Sequence, residues 1–115
     1  MTPQDFLCLA LGLPEATLGR HQGGADIRVA GRIFASPADR PGGTAVLGLT
    51  PEQSEMVCEA EPTIFQPVKG RGGARGWTRL IVAAADETTA QSALWMAWRN
   101  VAPPKLAKAH AVPSA

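Results

Sequence analysis

The sequence predicts an α+β domain in which three helices pack on one face of an antiparallel four-stranded sheet. Three observations predict it: helix-capping signals at three places, alternating apolar and polar residues between them, and a length of 115 residues, which suits one domain. Apolar residues make up 45% of the chain, enough to supply a core. We expect residues 1–108 to form the domain and residues 109–115 to form a loose tail.

Each predicted helix begins with a capping residue. Thr2 in TPQD and Thr50 in TPEQ are each followed by a proline and, three positions on, by a residue that completes a capping box. Asp86 in DETT caps the third helix. The helices are expected to end at Pro14, Pro62 and Pro103. The buried face of the second helix is predicted to consist of Met56, Val57 and Ala60.

The four predicted strands lie between these helices. IRVAGRIFA predicts two strands that turn at Ala30–Gly31, because glycine tolerates the backbone of a tight turn. TAVLGLT is the third strand and WTRLIVAA the fourth, while residues 36–43 form a loop by composition. Since helices cover one face, the other is expected to meet solvent. That face is predicted to carry Arg32, Phe34, Trp77 and Arg79.

Composition and charge exclude several classes of protein. A formal charge of +1 gives no overall attraction to nucleic acid or to an anionic membrane. No apolar run approaches the roughly 20 residues of a membrane span, and the N-terminus lacks the cationic region of a signal peptide. Cys8 and Cys58 fall in predicted helices, where we expect reduced, buried thiols. We therefore expect a cytoplasmic monomer without membrane contact.

No pattern in the sequence indicates catalysis, a metal site or a cofactor. Cys8 and His21 could form a nucleophile and base, but a thiol in mid-helix among leucines is typical of an inert core group. The glutamates of the second helix indicate a solvated face. GRGGARG lacks the Lys-Ser/Thr ending of a phosphate-binding loop and precedes a strand rather than a helix. We expect a protein that is not an enzyme and holds no cofactor and no metal ion.

The segment from Gln66 to Leu80 is strongly basic and contains no acid. Its cations are Lys69, Arg71, Arg75 and Arg79. Flexible glycines would let the guanidinium groups adapt to phosphate oxygens, and Trp77 could stack on a base or sugar. In the alternative interpretation, the arginines keep the entrance of a strand soluble and Trp77 packs against the sheet.

Five stretches, in their order along the chain, resemble the MmcQ/YjbR family over about Thr2 to Lys108. They are TPQDFLCLALGLPEATLG, DIRVAGRIFA, AVLGLTPEQSEMV, RGWTRLIV and AWRNVAPPKLA. The resemblance implies a small fold similar to frataxin-like and secretion-chaperone-like domains, and DNA binding through a double-wing surface. One departure is Gly48, which stands where members of the family often have a lysine.

From this resemblance and the basic stretch, we predict a nucleic-acid site with little sequence preference. Its residues are Arg28, Arg32, Arg71, Arg75, Trp77 and Arg79, the arginines contacting phosphates and the indole stacking. The alternative is a protein-interaction or chaperone-like adaptor, whose exposed sheet face or edge strand takes a partner's extended peptide. An apolar patch on the sheet would favour the adaptor, and a continuous positive surface would favour nucleic acid. A frataxin-like metal role needs an acidic first helix, and this one carries only Asp5.

Overall fold

A computed structural model describes residues 1–21, 24–38 and 43–110 of the chain. In these residues the chain forms six strands and five α-helices. The strands are β1 (Ala16–His21), β2 (Gly24–Val29), β3 (Arg32–Ala35), β4 (Thr44–Gly48), β5 (Phe65–Pro67) and β6 (Trp77–Ile81). The helices are α1 (Pro3–Leu11), α2 (Pro51–Ala60), α3 (Arg71–Ala74), α4 (Glu87–Val101) and α5 (Pro104–Ala109), with a short 3-10 turn at Val82–Ala84.

The strands pair antiparallel in one sheet, in the order β1-β2-β3-β4-β6-β5. The α+β class and the antiparallel sheet are as the sequence predicts, but the count of four strands is wrong. The four predicted strands form the interior of the sheet, and the two that the sequence did not reveal are its edges. β1 carries a single large apolar residue, Leu18, and β5 is three residues long and contains Pro67. Pairing with a neighbouring strand holds both in place despite weak local signals.

The count of three helices is also too low, because α3 and α5 were not expected. α3 falls within GRGGARG, a sequence of poor helix propensity. α5 follows Pro103 and includes Ala109, the first residue of the predicted tail. Residues 111–115 of that tail and residues 39–42 of the predicted loop lie outside the described residues.

The three predicted helix caps are confirmed. Thr2 Oγ1 accepts a hydrogen bond from the Asp5 N–H at 3.1 Å, and Thr50 Oγ1 accepts one from the Gln53 N–H at 3.1 Å, each within a complete capping box. Asp86 Oδ1 accepts from the Thr89 N–H at 3.0 Å. Hydrogen bonding to the side chain and backbone of Thr89 lowers the pKa of the Asp86 carboxyl below its usual value.

The core lies between one face of the sheet and the helices α1, α2 and α4. α4 crosses β3 and β4, and its Trp98 is fully buried, as are Phe6 of α1 and Phe34 of β3. The Trp98 indole N–H donates to the carbonyl oxygen of Pro14 at 2.9 Å, so burial of this large ring leaves no polar atom without a partner. Among the described residues, no helix is long and apolar enough to span a membrane.

The predicted buried face of α2 is wrong. Met56 is 54% exposed and Ala60 is exposed, whereas Ser54 is buried and Val57 and Cys58 are half-buried. The Thr78 hydroxyl of β6 donates to Ser54 Oγ at 2.7 Å inside the core. A polar residue thus sits on the buried face because a strand side chain supplies its partner, which no periodicity of apolar residues can indicate.

Cys8 is exposed, contrary to the expectation of a buried thiol. Phe6 and Ala10, one turn apart, mark the buried side of α1. Cys8 is two residues from each of them, and two residues turn an α-helix by about 200°, so its side chain faces solvent. Cys58 is half-buried, and both thiols are free.

The turn between β2 and β3 gives a first prediction. Ala30 and Gly31 both have positive φ angles, 52° and 77°, the backbone of a type I′ turn in which Asn-Gly is preferred. An alanine there costs roughly 1 kcal/mol, since its Cβ crowds the carbonyl oxygen in the left-handed conformation. We expect Ala30→Asn to raise the free energy of unfolding by about 0.5–1 kcal/mol in urea denaturation. Ala30→Val, with a branched Cβ, is the control and should lower it; equal values for the two variants would contradict the turn.

Candidate nucleic-acid interface on the open sheet face

The face of the sheet opposite α1, α2 and α4 carries the candidate site, and we call it the open face. Residues directly opposite each other on neighbouring strands point to the same side. Gly48 lies opposite Trp77, and Val46 lies opposite Arg79. Arg28 of β2 lies opposite Ile33 of β3. The open face therefore includes Arg28, Ile33, Val46, Trp77 and Arg79.

The short helix α3 borders the open face beside β6. Gly73 has no room for a side chain, since a Cβ there would overlap the carbonyl oxygen of Val68. Gly72 lies against the Val68 side chain and Trp77: a Cβ on it would be 3.4 Å from Val68 Cγ1 and 3.8 Å from Trp77 Cβ. The backbone of GRGGARG is therefore packed against Val68 and forms a helical turn.

Arg71 and Arg75 are both exposed, at the start of α3 and immediately after its end. Because they are four residues apart, their side chains leave the same side of this turn. Lys69 precedes them and is also exposed. Like charges at this spacing repel each other, so an anion placed between them would relieve an unfavourable interaction.

Trp77 lies half-buried on the open face because Gly48 opposite it has no side chain. A Cβ at Gly48 would stand only 3.2 Å from Cη2 and Cζ3 of the indole. Arg79 projects from the same face, two residues along β6, which is roughly 7 Å. The Gly48 departure from the family pattern thus gives the indole space over the sheet.

Arg28 is bound to an acid. Its Nε and one terminal nitrogen donate to the two carboxylate oxygens of Asp26 at 2.6 and 3.0 Å. This hydrogen bond raises the pKa of Arg28 above its usual value. The pair lies over Gly19, where a Cβ would be 2.7 Å from Arg28 Nε. Asp26 lies within β2 and neutralises this arginine.

Arg32 lies on the other side of the sheet. Its cross-strand partner is Val29, which is fully buried beneath the helices. Phe34 also belongs to the core, so the prediction of one solvent face shared by Arg32, Phe34, Trp77 and Arg79 is wrong. The register of β2 and β3 shifts between Ile27 and Arg28, and such an irregularity changes which residues face which side. Trp77 and Arg79 lie on β6, and Arg71 and Arg75 lie on or next to α3, which contacts β6. Arg28 is on β2, three strands from β6, and is paired with Asp26, while Arg32 is on the other face.

A groove of about 350 Å³ lies on the open face next to Trp77, and sequence reasoning missed it. Apolar side chains of four strands and the segment before α3 form much of its wall, joined by Asp26 and Ser36. Its apolar lining includes Ala25, Ile33, Ala35, Val46, Val68 and Trp77. The alternation within the third and fourth predicted strands shows which residues of each strand share a face. Placing Val46 beside Trp77 also requires the register between those two strands, which the sequence does not give.

No group of three or more His, Cys, Asp or Glu side chains that could hold a metal ion occurs among the residues that the structure describes. Cys8 stands on the exposed side of α1, and the side chain of His21 lies outside the described part. One ion pair, between Arg28 and Asp26, is present in residues 1–21, 24–38 and 43–110.

Comparisons with known proteins agree with this architecture. The solved structure of Deinococcus radiodurans protein DR2400, a DUF419 domain, superposes with a TM-score of 0.70 over 97% of this chain and 89% of that chain. At 16% identity this similarity concerns the fold alone. A search of curated proteins gives no match. The family model YjbR matches residues 11–100. Because that match covers most of the sequence, the chain belongs to the YjbR family.

Proposed function

We propose that the protein binds nucleic acid weakly and with little sequence preference, through the α3 cluster. We define the α3 cluster as Lys69, Arg71, Arg75, Trp77 and Arg79. One observation carries the proposal: these four cations lie on β6, on α3 beside it or next to α3, β6 also carries a half-buried indole, and none of the four is paired with an acid among the described residues. Arginine engages phosphate oxygens bidentately, and the indole offers a surface on which a base or sugar can stack.

The distribution of charge on the open face determines how tightly we expect nucleic acid to bind. Asp26 neutralises Arg28, so the positive charge of this face is concentrated at α3 and β6. With about three phosphate contacts and a net charge of +1, binding should resemble non-specific binding, with dissociation constants of about 10⁻⁴–10⁻⁶ M. We expect no base readout, because α3 is a single turn and is too short to lie in a groove of the duplex.

The test is fluorescence anisotropy of a labelled 20-base-pair duplex and of a single strand, titrated at several salt concentrations. For three phosphate contacts on the duplex we expect a log–log salt slope near about −3. Arg71→Ala/Arg75→Ala should reduce its magnitude by about 2. Arg32→Ala/Lys105→Ala is the matched control: it removes the same charge from exposed positions outside the α3 cluster and should leave the slope close to that of the wild type.

A substitution of Trp77 distinguishes the contribution of stacking to binding from the contribution of charge. Trp77→Leu keeps an apolar side chain over Gly48 and should weaken single-strand binding by about 10-fold, since stacking on one base contributes about 1–3 kcal/mol. Equal losses for the arginine variant and its control would mean that net charge alone attracts the nucleic acid. Absence of binding at low salt would refute the proposal.

A second candidate function rests on the apolar groove of the open face, which fits an extended peptide of a partner protein. Ile33, Val46 and Val68 offer apolar contact to alternate side chains of such a peptide. A labelled peptide of alternating valine and threonine should bind the wild type and not Val46→Glu. Met56→Glu, the same introduction of charge on α2, is the control, and no binding by the wild type would reject this function.

A further inference from the structure

The outer edge of β1 is an unused pairing surface. β1 is six residues long and pairs with β2 from Ala16↔Val29 to His21↔Gly24, and it is the last strand of the sheet on that side. In an antiparallel ladder, every second residue of an edge strand directs its N–H and C=O groups away from the sheet. In the described part of the chain, no strand pairs with this edge.

The two edges of the sheet differ in how they are protected. β5 is only three residues long and contains Pro67, two features that discourage pairing with another chain. β1 is twice as long and contains neither proline nor lysine. The protein therefore blocks one edge of its sheet and leaves the other available.

Leu18 makes the β1 edge apolar as well as open. It is 53% exposed, although its cross-strand partner Ile27 is fully buried. The row of apolar side chains on the helix side of the sheet thus ends in a leucine that the described residues leave more than half exposed. Leu18 and Met56 are the two large apolar side chains most exposed among the described residues, and only Leu18 lies on a strand edge.

We propose that this edge binds a second copy of the same chain, with the two β1 strands antiparallel about a two-fold axis at Leu18. Such an arrangement is self-complementary. Leu18 of each copy meets Leu18 of the other, and Arg20, near the end of the strand, approaches Glu15, just before the start of the other copy's strand. Both Arg20 and Glu15 are exposed. The interface is isologous, as in most homodimers, and it extends the sheet across both copies.

The contact is small, because one strand of six residues and its flanks contribute it from each side. It falls at the lower end of the size range of specific interfaces. We therefore expect a reversible dimer with a dissociation constant of about 10–100 µM, rather than an obligate one. This differs from the monomer that the sequence led us to expect. The α3 cluster is next to the opposite edge of the sheet, so dimerisation and nucleic-acid binding can be tested separately.

The experiment is sedimentation equilibrium of the full chain from about 5 to 500 µM. The wild type should shift from monomer to dimer mass over this range. Leu18→Glu places two carboxylates against each other at the axis and should remain a monomer at every concentration. Met56→Glu makes the same kind of change at the other exposed apolar side chain and should dimerise like the wild type.

A charge exchange tests the orientation of the two strands. Arg20→Glu and Glu15→Arg should each weaken the dimer at least several-fold, and the double variant should restore much of the lost affinity at low salt. A monomeric wild type throughout the range would overturn the proposal. So would a dimer that Leu18→Glu leaves intact, or a double variant no better than the single ones. Circular dichroism confirms that each variant is folded.

Discussion

Replacing Gly73 with alanine is expected to lower the free energy of unfolding by about 2–3 kcal/mol, the range for a side chain forced into filled space. The new methyl group would occupy the position of the Val68 carbonyl oxygen. A backbone atom cannot move aside as the end of a long side chain can, so α3 must move away from Val68. The loss would appear in urea denaturation followed by circular dichroism.

Gly72→Ala is the matched control, in the same turn of the same helix. A Cβ at Gly72 would make an ordinary van der Waals contact, 3.4 Å from Val68 Cγ1. Alanine also has a helix propensity about 1 kcal/mol better than that of glycine. Gly72→Ala should therefore be neutral or slightly stabilising. If the two variants had equal stability, α3 would not be packed as described. Gly73→Ala should also weaken duplex binding if the α3 cluster binds it, because Arg71 and Arg75 would be displaced from Trp77.

The second large effect is expected from Trp98→Ala, at about 3–5 kcal/mol. Trp98 is fully buried, and its ring meets that of Trp95 edge to face, with centroids 5.3 Å apart. Truncation would leave a cavity beneath the sheet and remove the hydrogen bond to the Pro14 carbonyl. For a domain of this size, such a loss is a large part of a total stability of about 5–15 kcal/mol. Equilibrium denaturation measures it.

Two further variants show how much of the loss of stability comes from the Trp98 hydrogen bond and how much from its position in the core. Trp98→Phe keeps an aromatic ring but removes the N–H donor and part of the ring volume, so it should cost about 1–3 kcal/mol. Trp95→Ala removes a half-buried ring of the same type from the same helix and should cost less than Trp98→Ala. A Trp95 variant as unstable as the Trp98 variant would contradict the assignment of Trp98 to the centre of the core.

The sequence predicts the elements of this fold that carry a strong local signal. Capping boxes at Thr2 and Thr50 and the cap at Asp86 are short-range patterns, and each marks a real helix. β1, β5 and α3 have no such signal, because pairing or packing with distant residues stabilises them. Local propensity is a weak guide wherever tertiary contacts supply the stabilisation.

The candidate site, like the fold, can be predicted only in part from local sequence signals. Arg71, Arg75, Trp77 and Arg79 are close in sequence, and a short helix and the strand that it contacts carry them. The predicted site also includes Arg28 and Arg32, which lie on the first hairpin. The pairing of β2 with β3 puts Arg28 and Arg32 on opposite faces of the sheet, and Arg28 forms an ion pair with Asp26. Strand register, which decides the face, depends on pairing across the sheet and cannot be deduced from a single strand.

The packing of α3 against Val68 limits the transfer of this basic motif to other proteins. A single turn is far too short to be helical by itself, and Gly70 gives it no side-chain cap. The spacing of Arg71 and Arg75 is therefore dictated by the strands beneath them, and GRGGARG as a free peptide or as a graft on another scaffold would not reproduce it. A relative that lost the tight approach at position 73 could keep every arginine and still lose their arrangement.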